Sequence, residues 1–166
     1  MRYPYFCVVA LLVGSSAFPA RAAAEPERVT HVVRTPFQDV VTTLHRAVED
    51  QKMVLVGEAD AQKGAAARGV RIRGNRVLMV FRNDFAVRLL EADPSAGFEA
   101  PIRIYVCENA DGTTTVSYRT PAAIFAPYRH PEVQLVAAAL DPIFAAIVEE
   151  MLVVGSASPG ASTTKP

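Results

Sequence analysis

Between Phe37 and Asp50 the apolar residues Phe37, Val40, Val41, Leu44 and Val48 recur at helical spacing, with Asp39, Thr42, Thr43, Arg46 and Asp50 opposite them. A helix of this kind has one face to bury and one to solvate, so it needs a second layer to lie on. Thr35-Pro36-Phe37-Gln38 opens it. Thr35 is placed to accept from the backbone at N3, Gln38 to reach back, and Pro36 to occupy the first helical position, which predicts a capping box with a proline start.

The second layer is legible as short alternating or apolar runs. Val29 to Arg34, Met53 to Glu58, the stretch around Val70 to Arg73, Val77 to Phe81, Ile102 to Glu108 and Thr113 to Arg119 each read as a strand. Gly74-Asn75 supplies a turn, and the Asp-Gly ending of Asn109-Ala110-Asp111-Gly112 predicts a hairpin between the last two strands. Asn83 is the expected cap of a short helix through Phe85, Ala86, Leu89 and Leu90 that stops at Asp93-Pro94. From His130-Pro131-Glu132 onward, Val133, Val136, Leu140, Ile143, Phe144, Ile147, Val148 and Met151 form one stripe, interrupted at Asp141-Pro142. That interruption predicts a kinked helix or two consecutive ones. Asp141, Glu149 and Glu150 within the stripe exclude a membrane span. The irregular alternation of elements predicts an α+β fold: a mainly antiparallel sheet, helices packed on one face and a long C-terminal helix.

The ends read differently. Arg2, the apolar run Phe6 to Phe18 and the small-residue site Ala20-Arg21-Ala22 predict an export signal over residues 1 to 22. The run is too short to cross a bilayer, which takes about 20 apolar residues. Cys7 lies inside it, so no lipid-anchoring cysteine follows the cut. The expected location is the periplasm, or the medium beyond it. Residues 28 to 153 then form one α+β domain, and the Gly, Ser, Thr, Ala and Pro tail over residues 154 to 166 is expected to stay disordered. The whole chain carries 17 basic and 17 acidic residues; loss of Arg2 and Arg21 leaves 15 against 17, a net charge of −2. Nothing in that balance favours nucleic acid or an anionic membrane. Cys107 alone remains after export, so no internal disulfide is available.

Several short strings carry a family resemblance. Asp60 precedes an Ala/Gly stretch, Gly69 precedes an apolar run, Asn83 follows Phe81, and Ala100-Pro101-Ile102-Arg103 opens a strand. Asp111-Gly112, Ser117-Tyr118 with Pro121, and Arg129-His130 follow in order. From Thr35 to about Leu152 the chain resembles the bacterial domain of unknown function 302 family. The resemblance implies a compact α+β domain with a sheet backed by helices, often dimeric, with no established reaction. The chain departs from the family pattern at Arg82-Asn83-Asp84, where Gly-Asn-Pro is usual, and at Asp60-Ala61, where Asp-His is usual. Any ligand held through that histidine would lose the group at Ala61.

Alternation along Ile102 to Glu108 sends Ile102, Ile104 and Val106 to one face and Arg103, Tyr105 and Cys107 to the other. The second set mixes a cation, an aromatic hydroxyl and a thiol, beside either Thr114, Val116 and Tyr118 or Thr113, Thr115, Ser117 and Arg119 of the partner strand. A half-apolar face with a few polar groups suits a small-molecule pocket or a dimer surface, although a solvated sheet face explains it as well. Arg103, Tyr105 and Cys107, with Asp60, Asn83, Tyr118 and His130 from the strings of the resemblance, are the expected ligand-binding residues. The expected partners are a small-molecule ligand and a second copy of the chain.

No catalytic group, cofactor or metal site is expected. His45 and Glu49 are one helical turn apart and could face one ion, but a surface pair accounts for them. His31 alternates with Val29 and Val33 as a partly buried core histidine, and His130 precedes Pro131, where helix capping explains it. Cys107 lacks a resolving cysteine, and a strand cysteine is usually a small apolar filler. The basic stretch Lys63 to Arg76 carries Gly64, Gly69 and Gly74 but neither a phosphate loop nor a dinucleotide fingerprint. Glu58 and Asp60 share strand parity without a cleft to serve. The chain therefore reads as a non-enzymatic binding module acting as a homodimer. The rivals are a small periplasmic enzyme using Asp60, Lys63, Cys107 or His130, and a weak metal-binding protein.

Overall fold

The computed structural model describes residues 28–156, with side chains as far as Val153. The expected export signal lies outside the described residues, as does the expected tail beyond Ser156. Chain order is β1 (Arg28–Val33), α1 (Phe37–Asp50), β2 (Val54–Asp60), α2 (Ala61–Ala66), β3 (Asn75–Phe81), α3 (Asn83–Ala92), a 3-10 helix (Pro94–Glu99), β4 (Ile102–Glu108), β5 (Thr114–Arg119), α4 (Pro121–Phe125) and α5 (Pro131–Ser156). Five strands form one sheet in the order β1-β5-β4-β3-β2, and each neighbouring pair is antiparallel. The fold is α+β, as the alternation of elements predicts.

Period-two alternation decides what each sheet face does. Ile104 stands opposite Leu78 on one side and Tyr118 on the other, which places these residues, with Ile102, Val106, Val80 and Val116, on a single buried face. Helix α1 brings Val40, Val41, Leu44 and Val48 to that core, and α5 brings Val133, Val136, Phe144 and Ile147. Phe85 and Leu89 of α3 and Phe125 of α4 complete it. Burial of each such side chain contributes about 1.5–3 kcal/mol. No described helix is long and apolar enough to cross a membrane.

Local details depart from the sequence expectations in four places. Pro36 is itself the cap of α1, and neither Thr35 nor Gln38 caps through its side chain. Thr35 serves elsewhere: its carbonyl accepts from the Thr114 hydroxyl at 2.9 Å, tying the end of β1 to β5. Asn83 is the first residue of α3 rather than its cap, which falls on Arg82. Residues 70–74 form no strand; the Ala/Gly stretch before them makes the short α2, capped by the Asp60 carboxylate, which accepts from the Lys63 amide at 2.8 Å. Finally, α5 reaches Ser156, past the expected start of the tail; at Pro142 it continues as one helix, the first of the two alternatives the sequence offered. Pro142 cannot donate to the carbonyl of Ala138, and Ala138 is exposed, so the orphaned acceptor is left toward water. Asp141 caps a different helix, accepting from the Ala122 amide of α4 at 2.9 Å.

Gly74 marks a tight junction between α1 and the sheet. Its amide donates to the Glu108 carboxylate at 2.9 Å, and a Cβ built there would lie 2.4 Å from the Phe37 ring. Gly74→Ala is expected to cost about 1–3 kcal/mol through overpacking. A urea midpoint lowered at constant slope would show it; a midpoint equal to wild type would mean that Phe37 yields freely.

Candidate ligand-binding face

Among the described residues, no helix packs over the second sheet face. Its side chains form rows across the strands, read directly from the registers. Arg28 of β1 faces Arg119 of β5, and Arg103 of β4 faces Met79 of β3. Ile104 opposite Tyr118 brings Arg103 level with Arg119, so three arginines stand side by side. The next row is Thr30, Ser117, Tyr105, Val77 and Ala59, and the one after it Val32, Thr115, Cys107 and Asn75. Of the two alternatives the sequence left open for the partner strand, the hairpin selects Thr115, Ser117 and Arg119 for this face. Val54 and Val56 of β2 complete it, with Val56 in the bulge between Leu55 and Gly57.

The face thus divides along the strands. Val54, Val56, Val77 and Met79 make its β2–β3 half apolar, whereas Arg28, Thr30, Ser117, Arg119, Arg103 and Tyr105 make its β1–β5–β4 half polar. Val32, at the far edge, is the apolar exception. Exposure is considerable for residues of this type: Val32 is 61% accessible and Val54 and Val56 are each 53%.

Two grooves open at opposite ends of β4. One, of about 340 Å³, takes in Arg28, Arg103, Arg119, Tyr105 and Ser117. The other, shallower and about 740 Å³, takes in Cys107 with Asn75, Arg71 and Arg73. The expected trio Arg103, Tyr105 and Cys107 therefore shares one face but serves two grooves. The Asn75 side-chain amide donates to the Tyr105 hydroxyl. That bond uses an oxygen lone pair and leaves the phenolic proton free to donate outward.

The other expected residues sit elsewhere. Tyr118 belongs to the helix-covered face, where its ring stacks on Phe144 with 6.0 Å between centroids, and burial raises the pKa of its hydroxyl. It reaches the smaller groove only as part of its wall. Asp60 caps α2 and pairs with Arg76 at 2.8 Å. The Lys63 amide first, and Arg76 after it, hold the Asp60 carboxyl below its ordinary value. Asn83 is exposed at the start of α3, and the His130 Nδ1 accepts from the Glu132 amide at 3.2 Å at the start of α5.

His45 does not pair with Glu49. Its Nε2 lies 2.7 Å from Glu58, whose other oxygen accepts from Arg76 at 2.7 Å. Among the described residues no three His, Cys, Asp or Glu side chains converge as metal ligands. Sequence reasoning missed Arg28 altogether and gave Arg119 only as an alternative. The signal for both was strand parity, which becomes usable once the β1–β5 register is known.

One antiparallel sheet, covered by helices on one side and left open on the other among the described residues, defines a two-layer α+β protein. The chain belongs to the family described as Domain of unknown function DUF302, whose model matches residues 29–151. A solved relative is the uncharacterized conserved protein DUF302 from Bacillus stearothermophilus, 18% identical, with a TM-score of 0.66 over 75% of this chain and 97% of that one. At that identity the likeness establishes the fold. No curated protein shows significant similarity to the sequence.

Proposed function

We propose that this protein is an exported, non-enzymatic binding module whose open sheet face is its working surface, the apolar half meeting a second copy of the chain and the polar half holding a small ligand. The observation that carries this reading is the exposure of Val54 and Val56, beside Val77 and Met79, on a sheet face that no described helix covers. Contiguous apolar surface of that kind marks interaction sites in soluble proteins. The export signal read at residues 1 to 22 supports a location in the periplasm or outside the cell. Of the side chains suited to an enzyme, the Asp60 carboxylate caps α2 and the His130 ring accepts from the Glu132 amide at the start of α5.

Sedimentation velocity tests the homodimer. The wild-type protein is expected to sediment as a dimer at micromolar concentration, and the double substitution Val54→Glu with Val56→Glu to sediment as a monomer with unchanged helical circular dichroism. Both valines are exposed, so the monomer's own stability should move by no more than about 0.5 kcal/mol. A wild-type monomer, or a dimer indifferent to both glutamates, would remove the apolar half of this face from the reading.

A further inference from the structure

Arg28, Arg119 and Arg103 are neighbours across three strands of one sheet face, and all three are exposed. Like charges set opposite one another in a sheet repel, whereas opposite charges stabilise the pair. Here none of the three has an ion pair among the described residues. Glu99 is the one acid in their groove, and its carboxylate accepts from the Tyr128 hydroxyl at 3.2 Å. Three guanidinium groups against one carboxylate leave a formal charge of +2. Two hydroxyls add donors to the same place. Tyr105 has its proton free because Asn75 occupies a lone pair, and the Ser117 hydroxyl has no side-chain hydrogen bond among the described residues. The groove is therefore rich in donors and nearly devoid of acceptors, at about 340 Å³, the small end of the range for small-molecule sites.

Resting on the reading of this face as a binding surface, we infer that the arginine groove binds a compact oxyanion carrying two or more negative charges, a phosphorylated or polycarboxylate small molecule. Planar guanidinium forks match both carboxylate and phosphate oxygens, and two of them on adjacent strands clasp such a group from both sides. The third, at the β1 edge, supplies the charge that separates a dianion from a monoanion. Tyr105 and Ser117 donate to oxygens that the arginines leave unfilled. Bound anion also removes the mutual repulsion of the row, so ligand binding and sheet stability rise together.

Calorimetric titration of pyrophosphate and of citrate into the purified protein at low ionic strength tests this. The expected result is one anion per chain, with an affinity that falls as salt is added. Arg103→Gln and Arg119→Gln should each weaken it by about tenfold or more, the loss of one charge-assisted contact. Arg46→Gln, which removes a guanidinium paired with Glu150 far from the sheet face, should leave it unchanged. Amide shifts in the wild-type protein provide a readout that needs no variant, and they should centre on residues 103 to 105 and 117 to 119. Failure of both anions to bind, or binding that both glutamine variants retain, would overturn the inference. Sedimentation separates this outcome from that of the homodimer: a dimer indifferent to both anions removes the anion site alone, and a monomer that binds pyrophosphate through Arg103 and Arg119 removes the homodimer alone.

Discussion

Phe144→Ala is expected to lower the unfolding free energy by about 3–5 kcal/mol. Phe144 is fully buried in the middle of α5, two residues after Pro142, with its ring stacked on Tyr118 of β5. It thus joins the longest helix to the central part of the sheet at the point where the helix is weakest in its own hydrogen bonding. Truncation to Ala removes the apolar contact and leaves a cavity that neither the sheet nor a helix interrupted by proline can readily close. Domains of this size keep only about 5–15 kcal/mol in total, so the variant should unfold at a much lower urea concentration. Leu135→Ala, on the same helix but 61% exposed, is the matched control and should change stability by no more than about 0.5 kcal/mol. A loss below about 1 kcal/mol for Phe144→Ala would mean that the sheet does not depend on this stretch of α5 for its cover.

Alternation within β4 was fully readable: Ile102, Ile104 and Val106 face the core, and Arg103, Tyr105 and Cys107 face away, because side-chain direction follows from strand geometry alone. The parity of β5 was not, since it depends on how many residues the turn consumes. Asn109 donates its amide to the Thr113 carbonyl at 2.8 Å, Gly112 takes φ +82°, and Thr113 is left outside the ladder. That count turns Thr115, Ser117 and Arg119 outward with Arg103. The arginine row itself depends on β1 pairing with β5, a contact between the first strand and the last that no local pattern encodes. Residues 70–73 show the reverse error. Val70 and Ile72 alternate with arginines as in a half-exposed strand, yet β3 already has β2 and β4 on its two edges, and the segment is left with exposed valine and isoleucine side chains and no ladder. Pattern describes which side chains are half-exposed; a strand also needs a free edge beside it.

Arg76→Gln should cost about 2 kcal/mol at pH 7, between the small value of exposed ion pairs and the larger one for breaking a buried pair. Arg76 reaches Glu58 at 2.7 Å with one terminal nitrogen and Asp60 at 2.8 Å with the other, under a Phe37 ring whose centroid is 5.9 Å away. Its Nε is buried without a partner, so part of the pairing energy is spent on desolvation. Glutamine spans neither geometry nor charge, and the two carboxylates on β2 lose the cation between them. The dependence on pH distinguishes charge from packing. The Asp60 carboxyl is held below its ordinary 3.8, first by the Lys63 amide and then by Arg76, so its contribution is present above that value and is lost as pH falls through the lower folded one. The arginine's share of that contribution disappears with it, and the gap between wild type and variant should therefore narrow between pH 7 and pH 3. Urea denaturation at the two pH values reads the gap directly. An undiminished deficit at pH 3 would mean that Arg76 stabilises this corner by covering Phe37, with the carboxylates incidental to it.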